Sequence, residues 1–186
     1  MKKLRKGFTL IELLVAVTLF SVIGGAVISL LVSGISTQRD SLGKQQLFDQ
    51  TSSMGEYMSR ALRQAKKELG LGCLSPSRVN YQITQGGKGI KFIDKNNICR
   101  EFFLDDSGSY GILKEDMNVL DPPVSIVVLT SNDLDVEAIG FALRDANQTD
   151  NIQPGVTFSW HIKARGVKPE IFFQTTISQR RFDVQE

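Results

Sequence analysis

Apolar residues follow two different rhythms along this chain, and the change between them divides it. Residues 8–35, FTLIELLVAVTLFSVIGGAVISLLVSGI, are almost continuously apolar, with Glu12 the only charged side chain. At about 1.5 Å of helical rise per residue, roughly 20 such residues cross a hydrocarbon core of ~30 Å. Farther on, apolar residues recur at Leu47, Met54, Met58, Ala61, Leu62, Ala65 and Leu69, with no proline between 37 and 69. Steps of three, four and seven predict one face of a helix. Asp40/Lys44 and Glu56/Arg60 add i,i+4 pairs with the acid on the N-terminal side, the better orientation. One helix from residue 8 to residue 69 is expected, stopped by Gly70-Leu71-Gly72. Gly24-Gly25, Gly34, Gly43 and Gly55 mark where it bends or packs closely against a neighbour.

After Gly72 the period changes from 3.6 to 2. Strands are expected near 79–83, 90–92, 98–104, 110–114, 126–130, 136–144, 156–164 and 171–178, with turns at 85–88 and 105–109. The alternation is cleanest in VTFSWHIK, residues 156–163. One buried and one wet face is the mark of an antiparallel sheet. The expected fold class is therefore α+β. A long N-terminal helix, membrane-suited in its first half and amphipathic in its second, packs on an antiparallel β-sheet head.

Charge changes the picture only at the front. The chain has 22 basic and 20 acidic side chains, and four of the basic ones are Lys2, Lys3, Arg5 and Lys6. Without those four, 18 basic face 20 acidic. The positive excess belongs to the first residues, and DNA is not expected as a partner. An ordinary secretory signal has an apolar region of about 7–15 residues and a small-residue cleavage site, and neither is evident here. Cations before the apolar run place the N-terminus in the cytoplasm and send the C-terminus outward.

The junction KKLRKGFTLIE carries the most specific signal. A short basic leader ends in Gly7, Phe8 follows, and Glu12 stands fifth counting from Phe8. This resembles the cleavage and methylation signature of type IV prepilins and type II secretion pseudopilins. The resemblance implies cleavage between Gly7 and Phe8 by a membrane-embedded prepilin peptidase, then N-methylation of Phe8. It also implies a pilin architecture, and as partners the peptidase/methyltransferase, other pilin or pseudopilin subunits, membrane lipid and an assembly platform. It resolves an oddity too, because a carboxylate in hydrocarbon costs roughly 2.5–3.5 kcal/mol. Cleavage creates an amine on Phe8 one helical turn from Glu12. In a filament, the Glu12 of one subunit would pair with the Phe8 amine of its neighbour, and the cost of an unpaired charge would enforce axial register.

Four segments are thus expected: a leader at 1–7, a transmembrane and polymerisation helix at 8–35, its amphipathic continuation at 36–72, and a β-rich head at 73–186. The closing stretch QTTISQRR, residues 174–181, looks like the last strand of certain minor-pilin-like proteins. The functional expectation is a filament subunit, of the minor kind, in a type IV pilus or a type II secretion pseudopilus. The rival from another class is a non-polymerising, membrane-anchored protein whose head binds a ligand, carbohydrate or DNA. Arg165, Lys168, Arg180 and Arg181 would supply a basic patch for the last of these.

The head offers little chemistry by pattern. Cys73 and Cys99 are the only cysteines, and in an oxidising compartment an even count favours a bridge. Two free thiols is the alternative. His161 is the only histidine and shares a strand face with Ser159 and Lys163, away from Trp160. No ligand spacing around it supports zinc, so neither a metal nor a cofactor is expected. Gly86-Gly87-Lys88-Gly89 lacks the Lys-Ser/Thr step into a helix that a phosphate loop needs. Asp105, Asp106, Ser107 and Ser109 lack the spaced ligands of a calcium loop and read as a hairpin turn. Asn147-Gln148-Thr149 matches a glycosylation sequon. No nucleophile, base and oxyanion set can be assembled, and no enzyme is expected.

Overall fold

A computed structural model of the chain describes residues 7–120, 126–144, 153–165 and 170–179. The chain divides into two units, Met1–Leu42 and Gly43–Glu186. Helix α1, Leu10–Arg63, begins in the first and ends in the second.

In the first unit no described side chain is buried. Leu10, Ile11, Phe20, Val22, Leu30 and Val32 are all open to the surroundings, on every side of the helix. A helix apolar all round is stable only in lipid or among other helices. Four of its hydroxyls are satisfied within the helix. Thr18 donates to the carbonyl of Val15 at 2.9 Å, Ser21 to Val17 at 2.8 Å, and Ser36 and Thr37 both to Ser33. Polar groups satisfied within their own helix are compatible with hydrocarbon. The segment is long and apolar enough to span a membrane.

In the second unit α1 lays one face on the head. Leu47, Thr51, Met54, Gly55, Met58 and Leu62 are buried there, following the i, i+3/i+4 rule that the apolar spacing predicts. Gly55 sits where a Cβ would lie 2.9 Å from Cζ of Phe173, so this glycine serves close helix–sheet approach rather than a bend. The helix ends at Arg63, short of the expected Leu69. Carbonyls at and just past its end find partners in the head: Tyr81 donates its hydroxyl to Leu62 O at 2.8 Å, and Gln179 Nε2 donates to Ala65 O at 2.7 Å. The following backbone leaves helical pairing for the sheet, with Lys66 N–H donating to Ile93 O and Glu68 N–H to Val79 O. Orphaned helix-end carbonyls taken up by side chains make the earlier stop stable. Leu69, expected on the buried helix face, is 80% exposed.

Eight strands follow among the described residues: β1 Tyr81–Thr84, β2 Gly89–Ile93, β3 Cys99–Asp105, β4 Ile112–Asp116, β5 Ile126–Val128, β6 Leu134–Arg144, β7 Gly155–Ala164 and β8 Glu170–Ser178. All neighbouring pairs are antiparallel. They form two sheets rather than one, in the orders β1-β2-β3-β4-β5 and β6-β7-β8. The architecture is the expected α+β, a long apolar N-terminal helix packed against antiparallel sheets. The larger of two apolar clusters among the described residues joins α1 to both sheets through Met58, Leu62, Tyr81, Phe92, Phe102, Leu113, Phe158, Trp160 and Ile162. The sheets are stitched where Val136 N–H donates to Gly111 O at 3.0 Å. A Cβ on Gly111 would lie 2.1 Å from Val136 O, so only glycine allows this approach.

Candidate processing and assembly site

Gly7, Phe8 and Thr9 precede the helix, and the first helical residue is Leu10. Thr9 starts it. Its Oγ1 accepts the N–H of Glu12 at 3.3 Å, and its carbonyl accepts the N–H of Leu13 at 3.2 Å. Thr9 is therefore the N-cap and Glu12 the third helical residue, the arrangement of a capping box. Charge and place in the junction motif single out Glu12 in the sequence. Thr9-Leu10-Ile11-Glu12 was a legible signal for Thr9 as well, and it was missed. The Gly7–Phe8 bond thus lies outside the hydrogen-bonded turns, with Phe8 79% exposed and open space around Gly7. Glu12 stands in the first turn, where the helix dipole favours negative charge. The basic residues Lys2, Lys3, Arg5 and Lys6 lie outside the described residues.

The second arrangement lies just past the end of α1. Cys73 and Cys99 are bonded, with Cα atoms 5.6 Å apart, which joins the loop after the helix to β3. Beside them Glu68 is buried, its carboxylate ringed by backbone donors. Oε1 accepts from Gly70, Leu71 and Gly72, and Oε2 from Cys73 at 2.9 Å and Leu74 at 3.0 Å. Burial pushes this carboxyl up, but the backbone donors outweigh it and hold it below the ordinary value near 4.5. Glu68 acts as the anion in a nest of N–H groups. Nothing in the residue pattern distinguished it from the surface acids around it.

The other candidates are placed plainly. Glu115, fully buried on β4, pairs with Arg100 on β3 and accepts the Tyr57 hydroxyl at 2.7 Å. Burial and then the Glu115 carboxylate push the Tyr57 phenol up. This ionic knot ties α1 to the first sheet. Asp105 is taken up by Lys114 and Ser107, and Asp106 by Lys88, so the acidic turn is already compensated by cations. Residues 85–87 form a 3-10 turn that runs into β2, not into a helix. Arg165 stacks on Tyr110, its guanidinium 3.9 Å from the ring centroid. Lys168, Arg180, Arg181 and the sequon at 147–149 lie outside the described residues. His161 is on the outer face of the second sheet, as strand alternation implies, but it has two carboxylates beside it, Glu137 and Glu170. Their convergence is invisible in sequence because the three residues sit on three strands.

An open cleft of about 510 Å³ lies between the head part of α1 and the β5–β6 connection, lined by Asp49, Gln50, Ser53, Tyr57, Leu129 and Ser131. It contains neither histidine nor cysteine. Its Tyr57 hydroxyl is engaged with Glu115, and its Ser131 hydroxyl donates to Gln50 at 2.8 Å. These hydroxyls serve packing, and the arrangement assembles no nucleophile with a base.

Residues 2–28 match the family model described as the prokaryotic N-terminal methylation motif. That match covers the Gly7–Phe8 junction, Glu12 and most of the apolar helix, and it supports the type IV pilin and pseudopilin family. No curated protein and no solved structure matches the chain.

Proposed function

We propose that this chain is a structural subunit, of the minor kind, in a type IV pilus or a type II secretion pseudopilus. The N-terminal methylation motif itself points to a pilin or pseudopilin matured by prepilin peptidase, a structural subunit rather than an enzyme. The single observation that carries the fuller reading is that motif, seated on a helix whose first part, residues 10–42, buries none of its apolar side chains. The motif supplies a cleavable junction, and the bare helix supplies a surface that demands lipid before assembly and neighbouring helices after it. Cleavage falls at Gly7–Phe8, methylation on the new Phe8 amine, and Glu12 pairs with that amine on an adjacent subunit. Residues 8–35 polymerise, 36–72 connect them to the head, and 73–186 set contacts outside the membrane. Working partners are the peptidase/methyltransferase, other pilin or pseudopilin subunits, lipid and an assembly platform.

The test is the intact mass of the full chain co-expressed with a prepilin peptidase. The expected product lacks residues 1–7 and carries one added methyl. Gly7→Ala is expected to keep the leader. Glu12→Ala is expected to be cleaved but excluded from filaments. A wild-type chain that keeps its leader beside an active peptidase would replace this reading with that of a non-polymerising anchored binding protein.

A further inference from the structure

The outer face of the β6-β7-β8 sheet gathers a histidine and two carboxylates for which the filament reading has no use. Glu137 comes from β6, His161 from β7 and Glu170 from β8. His161 Nδ1 lies 2.9 Å from Oε2 of Glu137, and Nε2 lies 3.1 Å from Oε2 of Glu170. One donor atom from each of the three residues falls within 4.8 Å of the other two.

Strand pairing brings them to one face, with one irregularity at Glu137. On β8, Phe172 pairs with His161 and Glu170 with Lys163, which puts Glu170 on the imidazole's face. On β6 the register shifts: Val136 pairs with Ile162 and Ala138 with His161, leaving Glu137 as an extra residue. Glu137 and Ala138 are both exposed in succession, breaking the alternation of β6. A bulge of this kind re-aims a side chain, and bulges concentrate beside functional sites.

Neighbouring side chains then hold the donors in place. The imidazole stacks on Phe172, ring centroids 3.9 Å apart and planes at 11°. Lys163 binds Oε1 of Glu137, which leaves Oε2 toward the imidazole, and it reaches Asp135 at 3.5 Å. Asp135 accepts the N–H of Gly111 with its other oxygen. Outer partners of this kind orient metal ligands before the metal arrives. Around the imidazole stand three carboxylates, of Asp135, Glu137 and Glu170, and one ammonium, of Lys163, an excess of acidic groups that a divalent ion offsets.

We propose that Glu137, His161 and Glu170 form a surface site for a divalent transition-metal ion of the zinc type. One imidazole nitrogen and two carboxylate oxygens are a donor set zinc accepts, with water completing the fourth position. Tetrahedral bonds of about 2.0–2.2 Å put donors roughly 3.4 Å apart. The two carboxylates face different imidazole nitrogens, so closing the site requires one glutamate to swing to the nitrogen that its partner already faces. The imidazole nitrogen selects against calcium and magnesium, which take oxygen ligands. The bound ion ties the three strands together across their wet face.

Because His161 is the only histidine and both cysteines are in a disulfide, the chain offers zinc few rivals to this site. The full chain, in detergent micelles and purified without a histidine tag, is titrated with zinc chloride near neutral pH in a non-chelating buffer. Calorimetry gives stoichiometry and affinity, and NMR follows the single set of imidazole protons. One ion per chain is expected, with displaced imidazole signals. At least about tenfold weaker binding is expected in His161→Ala and in Glu170→Gln. Glu170 is exposed, so the second variant keeps the fold, and unchanged thermal unfolding without zinc verifies this. Imidazole signals unmoved by millimolar zinc, or equal affinity in His161→Ala, would overturn the site and leave His161 as a plain hydrogen-bond partner of two glutamates.

Discussion

Two acidic residues show how differently a charge can be used. Glu12 stands among apolar side chains, and its position within a motif made it legible from sequence. Glu68 is hidden in the head, and only the folded backbone explains it. Five N–H groups converge on its carboxylate, so its charge is solvated by protein instead of water. A folded-state pKa held below the ordinary value means that Glu68 contributes stability above about pH 4.5. That contribution disappears as pH falls through the depressed folded value. Glu68→Gln puts an NH₂ group against N–H donors and is expected to cost about 2–3 kcal/mol at neutral pH. Chemical denaturation across pH 2–7 should show the gap between wild type and Glu68→Gln narrowing on acidification. A gap that stays constant with pH would remove the carboxylate's charge from the account.

At the scale of elements, hydrophobic period located nearly every strand and the helix's buried face. It failed at ends and joints. The helix stops at Arg63, and Tyr81 and Gln179, remote in sequence, supply donors to the Leu62 and Ala65 carbonyls at and just past its end. Such a stop has no local signal. The seam between the sheets is similar, since Gly111 and Val136 meet only after β4 and β6 have folded. Gly111→Ala forces a Cβ onto the Val136 carbonyl and is expected to destabilise by at least about 2 kcal/mol through overpacking. Gly140→Ala on β6, whose nearest atom would be Ser159 Oγ at 3.6 Å, should stay within about 0.5 kcal/mol of wild type. Thermal melts of the two variants side by side decide it. Equal losses would mean that strand propensity, not the seam, dominates at both positions.

For the whole molecule, the two units answer to different solvents. In residues 7–42 no described side chain is buried, whereas residues 43–186 enclose a core rich in aromatic rings. The full chain should therefore be monodisperse only with detergent. A chain starting at residue 36 should run as a monomer in plain buffer and keep the near-UV dichroism of the buried Trp160. Size-exclusion chromatography of both forms checks this. Detergent dependence surviving in the shorter form would place the demanding surface in the head, where Ile126, Val127 and Val128 are exposed on the edge strand β5.

By itself the sequence determined the membrane-suited helix, the N-terminal methylation motif, the amphipathic stripe and the order of strands along the chain. Each of these depends on spacing between residues close in the chain. Tertiary structure alone decided where the helix ends, that the strands part into two sheets, that Glu68 is solvated by a loop, and that Glu137, His161 and Glu170 meet. Those features need backbone groups and side chains brought together from distant positions. Local periodicity records which way a residue faces, but not what it will meet there.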